Sequence, residues 1–581
     1  MTTGQKRKEL LQVSYSPEVI ILTDLQYSPI KPTGTRPAGA HVLGSLLNEQ
    51  GIDTLVIDYF THIQNLWEIL CEIKTDRTKI VCISTTFLSA PKIQLGVDER
   101  KSGGTHNMTD YKKDAENDEW QEIYDRSIYL WLENEENASN FFTNLKNAIP
   151  GVTIVGGGPR GFRLYQLLEQ ETFKKCAMTN FDYFILGPGD DILPALCNQI
   201  ISKKINPFLN FEDKSGVKFL KTVDSRKPIP QIKFMPSSFI RPEEWLPIEV
   251  SRGCGFNCSY CSFEKNTIHK KSKADIVEEM TRNYETWGTT GYQVSADCLN
   301  DNRKFVEEFC DAIASLSFKI EFASYARLDL FGKFPQHIDM LLDCGFKAGF
   351  VGVETLNHEA GKKARRGLTP EKQKYLLKLL KDKGEEREGF WLSIYTIYGL
   401  PFETESSLDE TNLWLQNQNF IDEITPSVLE VYEFQEGIEE IANWADMAKN
   451  PQKFGFTKLL FSPKFYWEHE TMNVTTAIQK KNEFLDMMAD HPYSRVGGSS
   501  LGEYSATRTI GFNHEQTVII LKNRLGNIGK NLLGDITKER KKQLRQLVLN
   551  KNKEKIDGYA KNLATLKRPN NQLQSHLDCF S

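Results

Sequence analysis

The sequence predicts an α/β protein in three parts: an amino-terminal doubly wound parallel sheet of Rossmann-like type, a central partial (β/α)6 barrel of TIM-like type, and a mainly helical carboxyl-terminal region. Three observations predict it. Short β-branched runs alternate with helical spacing over roughly the first two hundred residues, and a second such series runs from Pro247 to Phe434. Between the two the alternation weakens and prolines recur, at Pro207, Pro228, Pro230, Pro236 and Pro242. After about Gly437 helical spacing dominates.

In chain order, VIILTDL reads as the first strand, AGAHVLGSLLNEQG as the first helix, and DTLVIDY and KIVCISTTF as the second and third strands. VTIVGGG and DYFILG complete five parallel strands within residues 1–203, the last followed by a helix over Ile192 to Ile201. A polar insertion, Pro91 to Asn137, interrupts the series after the third strand and reads as a solvated excursion. Residues 204–246 read as a linker. The second series then offers PIEVS, GYQVSAD, KIEFASYA, AGFVGVE, FWLSIYTIYG and PSVLEVYEF, with helical stretches such as KADIVEEMTRNYETWG between them. These repeated βα units, over residues 247–434, imply a parallel sheet curved into an open barrel whose chemistry gathers at the carboxyl ends of the strands. From residue 435 to 581 the chain is read as mainly helical. KFYWEHETMN and PYSRVGGSSLGEYSATRTIGF are expected to cover the open side of the barrel, and the lysine-rich stretch from Lys538 is read as a solvated amphipathic helix.

Composition sets the outer limits. With 581 residues, 40% hydrophobic, 26% charged and a formal net charge of -5, the chain is an ordinary globular sequence with no electrostatic case for nucleic acid. It shows neither an apolar run of about 18 residues nor a secretory h-region, which leads to an expectation of a cytoplasmic protein with no membrane partner. Eleven cysteines are too sparse for a disulfide scaffold. Eight of them (Cys71, Cys82, Cys176, Cys197, Cys298, Cys310, Cys344 and Cys579) lack ligand spacing and read as core or incidental.

The other three carry the chemistry. EVSRGCGFNCSYCSFEKN places Cys254, Cys258 and Cys261 in a glycine-bearing loop directly after a predicted strand. Iron-sulfur clusters are held by thiolates, normally four, so a compact trio leaves one iron open to another ligand. Structural zinc is the alternative, but such sites are closed by four ligands, usually in two separated pairs, and no second pair follows here. His269 and Cys298 are the two conceivable fourth ligands.

The trio, with Tyr260 just before its last cysteine, resembles the signature of the radical S-adenosylmethionine superfamily. That resemblance implies a partial barrel, a 4Fe-4S cluster on Cys254, Cys258 and Cys261, and reductive cleavage of S-adenosylmethionine to methionine and a 5′-deoxyadenosyl radical. It also implies an external electron donor of flavodoxin or ferredoxin type. Cofactor contacts are carried over position by position. Asp297 stands where the family places an acid for the methionine amino group, although the chain has Ser295-Ala296-Asp297 where Gly-Gly-Glu is usual; a helix N-cap is the competing role. Arg327 matches a basic residue that pairs with the cofactor carboxylate, with a structural ion pair as the alternative. Glu354 ends the fourth barrel strand in position to take ribose hydroxyls or the amino group. YGLPFET resembles a turn beside the adenine in which Phe402 replaces glycine, so the turn's backbone is expected to differ.

The amino-terminal half resembles the cobalamin-binding domain fused to many radical enzymes, on RPAGAHVLGSLLNEQG, ISTTF, IPGVTIVGGGPRG and DYFILGPGDDILPAL. Small residues at strand ends, Ser84 to Thr86 and Gly156 to Gly158, are read as letting a corrin and its tail approach the sheet; Ser84, Thr86, Gly156 and Gly157 are the expected contacts. No Asp-x-His-x-x-Gly element is present, and neither His41 nor His62 is expected on cobalt. The activity implied is a radical transformation of an unreactive carbon, with cobalamin-dependent methylation as its specific form and an unidentified substrate. A radical methylthiotransferase and a non-catalytic cobalamin or cluster sensor are the competing readings.

Overall fold

The computed structural model describes residues 16–23, 35–84, 135–158, 165, 180–222, 228–261, 268–431, 445–460, 466–488, 491, 493–496, 500–524 and 538–566. The first sheet contains β1 (Val19–Thr23), β2 (Thr54–Asp58), β3 (Ile80–Ser84), β4 (Thr153–Gly157), β5 (Tyr183–Leu186), β6 (Phe211–Lys214) and β7 (Val217–Lys221) in the order β2-β1-β3-β4-β5-β7-β6. The first five are parallel, and their order reverses between β1 and β3, the doubly wound pattern that opens a crevice at the carboxyl edge. These five strands are largely buried on both faces because both are covered. Ile20, Leu22, Ile57 and Ile83 pack with Leu70 and Leu145 on one side; Val19, Ile21, Val56 and Cys82 pack with Leu47 and Leu196 on the other.

The stretch read as a linker is partly sheet. Residues Phe211–Lys214 and Val217–Lys221 form a hairpin that joins β5 through β7. Ser215 and Gly216 take φ of 54° and 83°, the left-handed pair that a two-residue hairpin turn requires. Most of the polar insertion, together with Thr86, Cys176 and Cys579, lies outside the described residues, although helix Glu135–Ala148 begins inside its expected end.

The second sheet is an open parallel barrel. Its strands are β8 (Leu246–Glu249), β11 (Gly291–Ser295), β12 (Glu321–Arg327), β13 (Phe346–Glu354), β14 (Trp391–Tyr398) and β15 (Glu423–Val428), in the order of the chain, with two-residue β19 (Arg495–Val496) beside β15. Two further short strands, β9 (Ser251–Arg252) and β10 (His269–Lys270), pair antiparallel across the cysteine loop. The barrel helices start where a side chain accepts a bond from the backbone N–H of the first turn: Ser272 from Asp275, Asn302 from Phe305, Thr369 from Lys372 and Thr404 from Ser407.

The carboxyl-terminal region is less helical than the sequence suggests. It includes a three-stranded sheet, β16 (Phe456–Leu460), β17 (Tyr466–His469) and β18 (Met472–Asn473). Nor does the segment around residues 500–524 lie over the barrel's open side. Tyr504 and Leu521, from helices Ser500–Thr509 and His514–Arg524, pack with Trp245, Ala323, Ala348 and Trp391 at the amino ends of the strands. Trp245 N–H donates to Thr509 Oγ1 (2.8 Å), and Arg508 pairs with Glu321 at the start of β12. These helices plug the amino end of the barrel. Helix Lys538–Leu563 runs back to the first sheet, where Tyr559, Ala560 and Leu563 join its core, so one face of this helix is buried rather than solvated.

Candidate active site

The cysteine loop follows β8 and is tied down on three sides. Gly253 N–H donates to Asp297 Oδ2 (2.8 Å), fixing the loop to the end of β11. Ser259 donates through Oγ to the Lys363 carbonyl (2.7 Å), and Arg365 Nη1 donates to the Asn257 carbonyl (2.8 Å), fixing it to the segment after β13. Met447 N–H donates to the Ser259 carbonyl (2.9 Å) from the far side. Cys258 is buried and Cys254 and Cys261 are half-buried; none of the three is in a disulfide. Among the described residues, no group of three His, Cys, Asp or Glu side chains converges as a preformed metal cage. The donors nonetheless suit a cluster. A hydrogen bond from the Cys298 thiol, the largest influence, brings the Cys254 thiol down to about 7, close to where it ionises at neutral pH.

Cys298 is thus drawn to the loop, while burial pushes its own thiol up. Spacing along the chain could not reveal this contact, which arises because β8 and β11 lie side by side. His269 sits in β10. Asp297 does not cap the next helix, a role that belongs to Asn302; burial raises its carboxyl above the ordinary range.

Glu354 stands where β13 leaves its pairing register with β14, in a left-handed conformation at φ 64°. That turn points its carboxylate at Arg366, with Oε1 3.2 Å from Nη2. Gly352 lies beneath the pair, where a Cβ would stand 2.4 Å from Glu354 Oε1 and 2.8 Å from Arg366 Nη2, so a side chain there would displace these two groups. Oε2 of Glu354 is buried as well. Burial raises the pKa of this carboxyl, and Tyr260 from the cysteine loop lies against it.

The turn Tyr398 to Thr404 keeps the backbone that glycine would give. Phe402 adopts φ 75°, contrary to the expectation that losing glycine would alter it. Glu403 explains why the strained residue is held. Its Oε2 accepts from Gly399 N–H (2.9 Å) and Leu400 N–H (3.0 Å), and its Oε1 accepts from Thr355 Oγ1 (2.5 Å). Burial pushes the Glu403 carboxyl up to about 7.

A cavity of about 490 Å³ lies between the two sheets, within the size range of small-molecule sites. Ser84, Gly156, Gly157, Gly158 and Gly187 line it from the first sheet, and Pro247, Arg252, Gln293 and Ser295 from the barrel. Ser84 and Gly157 are register partners, so the two strand ends face one crevice. The two glycines are not equivalent, since successive strand residues face opposite sides. A Cβ on Gly156 would lie 2.3 Å from Phe184, so that glycine serves the core packing beneath; one on Gly157 would meet nothing nearer than 3.9 Å. Arg252 ties the cavity rim together by pairing with Asp190 of the first unit and Glu249 of the barrel. His41 is buried with Nε2 3.0 Å from Asp58 Oδ1, and His62 closes a 3-10 turn, Phe60–His62.

Residues 248–415 match the family described as the Radical SAM superfamily. The barrel is a radical SAM domain. The family implies a 4Fe-4S cluster and S-adenosylmethionine, and the chain is an enzyme. An uncharacterized methyltransferase of Synechocystis sp. (strain ATCC 27184 / PCC 6803 / Kazusa) is 22% identical over 186 residues, 31% of this chain and 33% of the relative. The match therefore spans only about a third of that relative's length. Among solved structures, the cobalamin-dependent S-adenosylmethionine radical enzyme OxsB with aqua-cobalamin and S-adenosylmethionine bound aligns over 96% of this chain and 80% of its own, at 14% identity and a TM-score of 0.50. The radical S-adenosylmethionine methyltransferase TsrM from Kitasatospora setae, with tryptophan substrate and a cofactor analogue, aligns over 74% and 75% at 15% identity and a TM-score of 0.48. At such identities the likeness to OxsB is one of fold. Among the described residues no helix is long and apolar enough to cross a membrane.

Proposed function

We propose that this radical SAM enzyme methylates an unreactive carbon, using cobalamin held in the crevice between the two sheets. The observation that carries the reading is the shared wall of the cavity: the carboxyl edge of the first sheet opens onto Pro247, Gln293 and Ser295 of the first barrel strands, beside the cysteine loop. A methyl donor bound at Ser84 and Gly157 would therefore stand next to the space where a substrate radical forms. When bound, the cluster supplies the electron that cleaves S-adenosylmethionine, and cobalamin supplies the methyl group.

The chain's own residues hold these groups in place. Cys254, Cys258 and Cys261 are the cluster ligands, and Asp297 sets the loop that carries them. Glu354, a buried carboxylate at the end of β13 beside Arg366 and Tyr260, is assigned to the amino or ribose donors of S-adenosylmethionine. His41 is paired with Asp58 and no histidine is among the described residues lining the cavity, which supports a cobalt without a histidine ligand. The fold that OxsB shares, and the aqua-cobalamin bound to OxsB, support the reading.

The test has two arms. Anaerobically reconstituted protein is titrated with hydroxocobalamin, passed through gel filtration and analysed for cobalt; it is also reduced with dithionite and assayed for 5′-deoxyadenosine. Retained cobalt together with 5′-deoxyadenosine is the expected result. Absence of cobalt at saturating ligand would reduce the first sheet to a scaffold, and absence of 5′-deoxyadenosine would remove the radical reading.

A further inference from the structure

An arginine at the end of β12 suits a carboxylate clamp, and the sequence suggests that use for Arg327. Its surroundings are different. Asp329 already takes two of the guanidinium's N–H groups, from Nε to Oδ1 (3.0 Å) and from Nη2 to Oδ2 (2.6 Å), and balances its charge. Nη1 donates to Cys258 Sγ at 3.0 Å. The guanidinium carbon lies 3.8 Å from the ring centroid of Phe256, inside the same cysteine loop. The backbone is locked as well: Asn300 Oδ1 accepts from Arg327 N–H (2.8 Å), and Asn300 Nδ2 donates to the Arg327 carbonyl (3.0 Å). Arg327 is 6% exposed and Asn300 1%. This side chain is oriented by four contacts toward the cysteine loop before any cofactor arrives.

We propose that Arg327 is a positioning residue for the cluster: its N–H donates to the Cys258 sulfur and raises the cluster's reduction potential, while the carboxylate of S-adenosylmethionine is bound elsewhere. The physical basis is that hydrogen bonds to cluster sulfurs and nearby positive charge stabilise the reduced, more negative state. Asp329 moderates that influence by neutralising the guanidinium. The proposal rests on the assignment of the cluster to Cys254, Cys258 and Cys261.

The test uses reconstituted full-length protein and two variants whose shifts have opposite signs. Arg327→Met removes the donor and the charge, so the potential, followed by redox titration of the cluster's electron paramagnetic resonance signal without S-adenosylmethionine, should move to more negative values. Asp329→Asn leaves the donor and unmasks its charge, so the potential should move to more positive values. A merely structural role would not give opposite shifts. Equilibrium dialysis of S-adenosylmethionine against the oxidised cluster should show less than about a threefold change in affinity for Arg327→Met, about 0.65 kcal/mol. If that variant fails to fold, Arg327→Lys, which cannot span both Asp329 and Cys258, should lower the potential in the same sense. Unchanged potentials in the variants would overturn the proposal. So would a tenfold or greater loss of S-adenosylmethionine affinity at unchanged potential, which is the carboxylate-clamp result. Failure of wild-type protein to take up iron and sulfide would strike the cluster assignment instead, a separate and visible outcome.

Discussion

The two neighbouring glycines at the end of β4 offer a sharp division between packing and binding. A methyl group on Gly156 would stand 2.3 Å from Phe184 and 3.0 Å from Phe181, both buried in the first sheet's core. Carbon atoms pack best at roughly 3.5–4.0 Å, so the Phe184 ring must retreat by about 1.2 Å or more. Overpacking of this kind costs about 1–3 kcal/mol. In a unit of about 200 residues that lowers the melting temperature by about 2–12 °C. Gly157→Phe, by contrast, meets Ile185 only at 3.9 Å and sends its ring into the cavity. Its melting temperature should stay within about 2 °C of wild type. Its retained cobalt after hydroxocobalamin titration should fall tenfold or more, equivalent to about 1.4 kcal/mol. The assay pairs thermal unfolding with cobalt analysis for both variants, and iron content should be unaffected in Gly157→Phe. Undiminished cobalt in Gly157→Phe would refute the placement of the ligand, and an unshifted melting temperature in Gly156→Ala would refute the division between the two residues.

Replacing Cys254, Cys258 and Cys261 together with alanine should abolish iron and sulfide uptake; a full complement in that variant would disprove the ligand set. Asp297→Asn keeps an acceptor for Gly253 N–H and should preserve the cluster, whereas Asp297→Ala should accelerate its loss, followed by the decay of visible absorbance under air. Glu403 gives a pH signature. Its folded pKa of about 7 lies above the unfolded carboxyl, so its contribution is fully present below about pH 4.5 and is lost as pH rises through 7, a change of about 3 kcal/mol. Melting temperatures of wild type and Glu403→Gln between pH 4.5 and 8 should therefore diverge, with the variant showing the flatter profile; parallel profiles would show that the fold does not perturb Glu403.

How much of this was legible in the sequence depended on how local the cause was. The strand-and-helix alternation and the cysteine loop are set by neighbours in the chain, and both parallel sheets are found in the structure. The β6–β7 hairpin also has a local cause, in Ser215-Gly216, but the surrounding prolines obscured it. What the sequence could not show were contacts between strand ends. Cys298 reaches Cys254 only because β8 and β11 are adjacent, and Arg327 meets Cys258 only because β12 ends near the same loop. Gly156 and Gly157 looked alike as letters; the alternating faces of a strand separate them. Phe402 shows that a residue can keep a glycine's conformation when a buried carboxylate such as Glu403 holds the turn from inside.

The return of helix Lys538–Leu563 to the first sheet has a consequence for how the molecule is made. Among the described residues β2 is an edge strand, and the Tyr559 hydroxyl serves as its surrogate neighbour, accepting from Asp58 N–H (3.0 Å) across 501 positions of sequence and donating to the Val56 carbonyl. Unpaired edges invite association with other chains. At about 5–20 residues per second of synthesis, this edge waits about 25–100 s for its cover. The first sheet, made ahead of the barrel, is therefore finished after it, and nascent chains stalled before the helix would present β2, together with the apolar surface that Leu563 later covers, to one another on crowded polysomes.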